Sequence, residues 1–89
     1  MTDLAGDLGA WVAERREASG LSQQRLAEQV GLDQAALSRI ESGQRRVSIE
    51  ELVRLSVALD IDDDELLGLL AHIRSRLAPG GSIWERETG

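Results

Sequence analysis

The sequence predicts an all-α protein, five helices in one compact domain, on three observations. Apolar residues recur at three- and four-residue intervals along most of the chain. Glycines and capping residues break that pattern at short intervals, and no stretch alternates apolar with polar residues as a half-buried strand does. At 89 residues, with 42% hydrophobic and 29% charged side chains, the chain has the make-up of one small folded domain, not a disordered tail. A domain of this size hides only about 60–65% of its unfolded surface, so its core must be economical.

Each element has its own signature. Leu4, Leu8, Trp11, Val12 and Arg15 form one stripe of a first helix over about residues 4–18, which Ser19 and Gly20 end. Ser22 caps a short second helix whose apolar face is Leu26, Ala27 and Val30, and Gly31 stops it. Asp33 caps a third helix, with Ala36, Leu37 and Ile40 turned inward, closed by Ser42 and Gly43. Gln44, Arg45, Arg46 and Val47 make a polar, basic loop. Ser48 with Glu51 reads as a capping box, opening a fourth helix that carries Leu52, Val53, Leu55, Val57, Ala58 and Leu59 and ends near Asp60. Asp62, Asp63, Asp64 and Glu65 load the N-terminus of a fifth helix, about residues 62–78, with carboxylates that suit the helix dipole. Residues 1–78 are expected to form the domain, and 79–89, from Pro79-Gly80-Gly81 through Trp84, a short tail.

Composition removes several classes of function. The chain has no cysteine, which excludes disulfides, thiolate metal sites and cysteine nucleophiles together. Its one histidine, His72, makes a multi-histidine metal site or histidine-based catalysis a poor expectation. Asp60, Asp62 and Asp64 have the opening spacing of a calcium loop, but Glu65 stands where glycine is needed and Ala71 where the closing glutamate belongs. No glycine-rich phosphate loop is present, so neither an enzyme nor a cofactor or metal is expected. No apolar run approaches the roughly 18–20 residues that span a bilayer. The acidic start, Met1 to Asp7, is unlike a signal peptide, so a cytoplasmic protein is expected.

A net charge of −6 taken alone argues against a nucleic-acid binder. Its distribution says otherwise. Residues 1–14 carry −3 and residues 59–89 carry −4, whereas residues 15–47 carry +2 through Arg15, Arg16, Arg25, Arg39, Arg45 and Arg46. All ten basic residues are arginine, whose planar fork of donors suits phosphates and guanine edges.

Residues 23–42 meet the demands of two short helices joined by a tight turn. A small residue is needed where the helices cross, and Ala27 is there; positive φ is needed in the turn, and Gly31 supplies it. Leu26, Val30, Leu37 and Ile40 are placed to close the space between the helices, with Leu32 covering the turn. This segment resembles the helix-turn-helix of the lambda-type repressor and Cro (Xre-like) regulators. Leu21-Ser22-Gln23, Ile40-Glu41-Ser42-Gly43 and the run from Leu55 to Ile61 extend the likeness over roughly residues 8–67.

The resemblance implies a compact five-helix lambda-repressor-like domain that puts the third helix into the major groove. On that basis Gln34, Ala35, Ser38 and Arg39 face bases: Gln can pair with adenine, Arg with guanine, and Ala can meet a thymine methyl. Ser22, Gln23, Ser42, Gln44, Arg45 and Arg46 match phosphate contacts that set register. Arg16 and Glu41 match a pair that ties the first helix to the third. The surplus leucines of the fifth helix suggest a homodimer interface of Leu66, Leu69, Leu70, Ile73 and Leu77, with Leu67 to one side. The expected function is a repressor binding a palindromic double-stranded operator as a homodimer. The alternative is an antitoxin or adaptor whose acidic ends or tail bind a partner protein such as a toxin, with or without autoregulation of its operon.

Overall fold

Helix ends are set by local hydrogen bonds, and four of the five helix starts here are set by a short serine or aspartate side chain. In the computed structural model, which describes residues 4–78, the elements are α1 (Leu4–Ala18), α2 (Gln23–Val30), α3 (Gln34–Glu41), α4 (Ile49–Ala58) and α5 (Asp63–Leu77). The fold is all-α, with no strand among the described residues. The expected tail at 79–89, Trp84 included, lies outside them.

Ser22, Asp33, Ser48 and Asp62 each stand in extended backbone and accept the backbone N–H three residues on, at 2.7 to 3.1 Å. Each thereby satisfies one of the N–H groups that a helix start leaves without a carbonyl. The far ends share a second device. Leu21 N–H donates back to the Arg16 carbonyl, Leu32 to Ala27, Gln44 to Arg39 and Ile61 to Ser56, at 2.8 to 3.2 Å. Such a bond needs a left-handed residue just before the donor, and Gly20, Gly31, Gly43 and Asp60 have φ between 55° and 79°. The fourth helix was expected to run to near Asp60; it stops at Ala58, and Asp60 is the left-handed residue of the turn.

Residues 4–61 belong to one unit. In it α1 packs on α3, and α2 packs on both α3 and α4. Its core is Val12, Leu26, Ala27, Val30, Leu37, Ile40, Leu55 and Leu59, with Trp11, Leu21, Leu32, Val47, Ala58 and Ile61 half-buried against it. Every helix of the unit contributes to that core, so α2 and α3 are held from both sides. The apolar set of α4 divides: Leu52, Leu55 and Leu59 are buried, whereas Val53 and Val57 are exposed along with Ile49.

A second unit begins at Asp62 and contains α5. Its first turn carries Asp63, Asp64 and Glu65 and its last Arg74 and Arg76, so both ends complement the helix dipole. Among its apolar side chains Leu67, Leu70 and Leu77 are exposed, Leu66 and Ile73 half-buried, and Leu69 buried.

Candidate nucleic-acid interface

The short helix α3 has two faces with opposite characters. Ala36, Leu37 and Ile40 are buried, Leu37 and Ile40 completely. Gln34, Ala35, Ser38 and Arg39, at i, i+1, i+4 and i+5, are all exposed and occupy the other side of the same two turns. The buried face fixes the rotation of the helix, so those four side chains are presented together. Asp33 spends its carboxylate on the cap, accepting from Ala36 N–H at 2.7 Å. Of the side chains expected to meet phosphate, Ser22, Ser42, Gln44 and Arg46 are exposed, and Gln23 and Arg45 are half-buried. Ser22 caps α2, and the Ser42 hydroxyl donates to the Arg39 carbonyl at 3.2 Å.

Gln23 has a partner that sequence reasoning did not assign. Its Nε2 donates to Glu41 Oε1 at 2.9 Å. The same carboxylate takes two bonds from Arg16, Nε to Oε2 at 2.7 Å and Nη2 to Oε1 at 3.1 Å. Arg16 Nη1 donates to the Leu21 carbonyl at 2.8 Å. One carboxylate thus joins α1, the start of α2 and the end of α3. The bonds from Arg16 to Glu41 outweigh partial burial and hold the guanidinium proton more firmly than in water. The second amide hydrogen of Gln23 is left for another acceptor.

Arg45 has a partner too. Its Nη1 and Nη2 donate to Glu51 Oε1 and Oε2 at 3.1 and 2.9 Å. Glu51 also accepts the Ser48 N–H at 2.9 Å, completing the capping box of α4. The Arg45 guanidinium and then the Ser48 N–H lower the Glu51 pKa from 4.5 to about 2. A carboxyl with a depressed folded pKa stabilises the fold above its unfolded pKa and loses that contribution as pH falls through the folded one. The window here runs from about 4.5 down to about 2. Glu51→Gln should therefore flatten the fall in melting temperature across that window while leaving other acid-sensitive groups in place. An identical acid profile for variant and parent, followed by circular dichroism, would show that the pair is absent in solution.

Close backbone approaches are the other feature missed in the sequence. A Cβ on Gly9 would run into the Ile40 carbonyl oxygen and come within 2.9 Å of the Glu41 carbonyl oxygen. A Cβ on Gly43 would lie 2.9 Å from Gly6 Cα. Glycine at these places lets α1 lie against the end of α3. The signal was available: a helical glycine costs about 1 kcal/mol relative to alanine, and Gly9 is one turn before the buried Val12.

Comparison with known proteins finds relatives of the same family and fold. The helix-turn-helix family profile matches residues 12–66. Control protein C.MunI from a Mycoplasma species is 42% identical over 52 residues, 58% of this chain and 70% of C.MunI. RstR, the transcriptional repressor of the cryptic phage CTXphi of Vibrio cholerae, is 33% identical over 57 residues, 64% of this chain. The matched segment spans 51% of RstR, about half its length. The crystal structure of the restriction-modification controller protein C.AhdI from Aeromonas hydrophila has a TM-score of 0.65 at 42% identity, covering 70% of this chain and 90% of C.AhdI.

Proposed function

The chain belongs to the Xre- and lambda-repressor-like helix-turn-helix family of DNA-binding transcriptional regulators, and from that premise we propose that it is a repressor which reads a two-fold operator through α3. The observation that carries this reading is the exposed face Gln34, Ala35, Ser38 and Arg39 set over a fully buried back. A helix held from behind and bare in front can enter a major groove without disturbing the core. Ser22, Gln23, Ser42, Gln44 and Arg46 would meet phosphates on either side and fix the register. The relatives matched here are named as control proteins and a repressor of transcription, which does not favour the antitoxin alternative. The net charge of −6 fits a domain that touches DNA along one arginine-bearing stretch. Among the described residues no helix is long and apolar enough to cross a membrane.

The test is an operator recovered by passing fragments of the source genome over the protein. Arg39→Ala should then lose discrimination at one base pair by about 1–3 kcal/mol, the worth of a bidentate contact to guanine. Equal weakening on every duplex would make Arg39 a phosphate contact and remove it from base reading.

Two half-sites about one helical turn apart require two copies of the protein, related by a two-fold axis. The exposed Leu67 and Leu70 of α5, with Leu77 beyond them, offer the apolar surface for that pairing. Leu67→Glu with Leu70→Glu keeps good helix formers and should convert a sedimenting dimer to a monomer at micromolar concentration. A double variant that remains dimeric would place the interface elsewhere, and the exposed Ile49, Val53 and Val57 of α4 would be the next surface to change.

A further inference from the structure

The loop between α3 and α4 holds two consecutive arginines in different situations. Arg45 has both Nη atoms on Glu51, and its Nη1 donates in addition to the Arg46 carbonyl at 3.1 Å. Three of its five N–H groups are used within the loop and the first turn of α4. Arg46 is exposed, and no ion pair to a carboxylate is formed by its side chain among the described residues. We propose that Arg45 is a positioning residue, which braces this loop so that Arg46 reaches the DNA backbone, and is not itself a phosphate ligand. The inference rests on the DNA-binding reading and revises the role expected for Arg45 from the sequence.

The brace is anchored at each end. Gln44 N–H donates to the Arg39 carbonyl at 2.8 Å, which fixes the loop to the end of α3. Val47 is half-buried against the core, and Glu51 sits in the first turn of a helix held by the buried Leu52 and Leu55. Between these anchors the guanidinium of Arg45 ties the 46 carbonyl to α4. The pair is mostly covered, with 31% of the Arg45 side chain and 17% of the Glu51 side chain exposed. Asp33 adds a further negative charge to the field around Arg45.

Transfer of Arg45 to a phosphate would leave the Glu51 carboxylate without its cation near a polyanion. Keeping the pair closed presents a nearly neutral strut and leaves Arg46 as the cation of the loop. Phosphate contact is sequence-independent, so a random-sequence duplex is the proper probe. The variants to titrate across a salt series are Glu51→Gln, Arg45→Lys, Arg46→Ala and the double variant Glu51→Gln with Arg46→Ala. Glutamine can still accept the Ser48 N–H in the capping box, and lysine keeps the charge but loses the fork.

Loss of Arg46 should lower the slope of log K against log salt by about one per protomer. Glu51→Gln should weaken binding about fivefold although it removes a negative charge, because the amide keeps one acceptor for Arg45 and loses the second bond and the counter-charge. Arg45→Lys should weaken binding similarly. In the Arg46→Ala background, Glu51→Gln should have no further effect, because the residue being positioned is gone. Tighter binding by Glu51→Gln, or a steeper salt slope, would show Arg45 released onto phosphate and overturn the proposal. Equal effects of Glu51→Gln with and without Arg46 would overturn it as well, by reducing the brace to a matter of stability. If the wild-type protein fails to bind duplex DNA even at low salt, the DNA-binding reading itself falls, and that is seen before any variant is compared.

Discussion

Gly9→Ala should lower the melting temperature by about 10 °C, equivalent to a loss of about 2 kcal/mol in a domain of this size. On helix propensity alone the change would help, by about 1 kcal/mol. Here the added methyl group meets the carbonyl oxygens of Ile40 and Glu41, and these are backbone atoms that cannot rotate away. Either α1 moves off α3 or the last turn of α3 is displaced, and overpacking of this kind costs about 1–3 kcal/mol or more. Displacing that turn also shifts Arg39, so DNA affinity should fall in the folded fraction. Gly68→Ala is the control, because a Cβ there has nothing within 4 Å and should gain the propensity without a clash. If Gly9→Ala melts at or above the wild-type temperature while Gly68→Ala behaves as expected, the approach of α1 to α3 is looser than described.

A second large effect is expected from Glu41→Ala, which leaves the Arg16 guanidinium without its carboxylate and the Gln23 amide without its acceptor. The side chains of Arg16 and Glu41 are only 14% and 7% exposed. Removing one partner of a covered pair costs about 3–5 kcal/mol, because the remaining charge has lost both water and counter-charge. That is a large part of the total stability of a small domain, roughly 5–15 kcal/mol. Replacing both at once, Arg16→Met with Glu41→Leu, should cost less than Glu41→Ala alone, since no charge is then left behind. Urea unfolding of the three proteins tests this. A double variant less stable than Glu41→Ala would mean that the pair is a net source of stability in its own right.

The starts of the helices could be taken from the sequence because the interactions that set them are local. Ser22, Asp33, Ser48 and Asp62 each bond three residues ahead, within the same few residues that a reader scans. On α3 the inward Ala36, Leu37 and Ile40 followed from helical spacing, and the outward Gln34, Ala35, Ser38 and Arg39 from the family resemblance. On α4 the sequence offered two apolar stripes, Leu52 with Leu55 and Leu59, and Ile49 with Val53 and Val57. Helical spacing alone does not choose between them; packing against α2 buried the first and exposed the second. On α5 likewise, helical spacing does not say that Leu67, Leu70 and Leu77 are exposed while Leu69 is buried. The partners of Gln23 and Arg45 depended on where separate elements come to lie: Gln23 meets Glu41 across two helices, and Arg45 meets Glu51 across a loop. A guanidinium can reach a phosphate or a carboxylate equally well, so composition identifies the donor and leaves the acceptor to tertiary structure. Gly9 lies furthest from a local reading, because its side-chain hydrogen marks a distance between α1 and α3 that no interaction within α1 specifies.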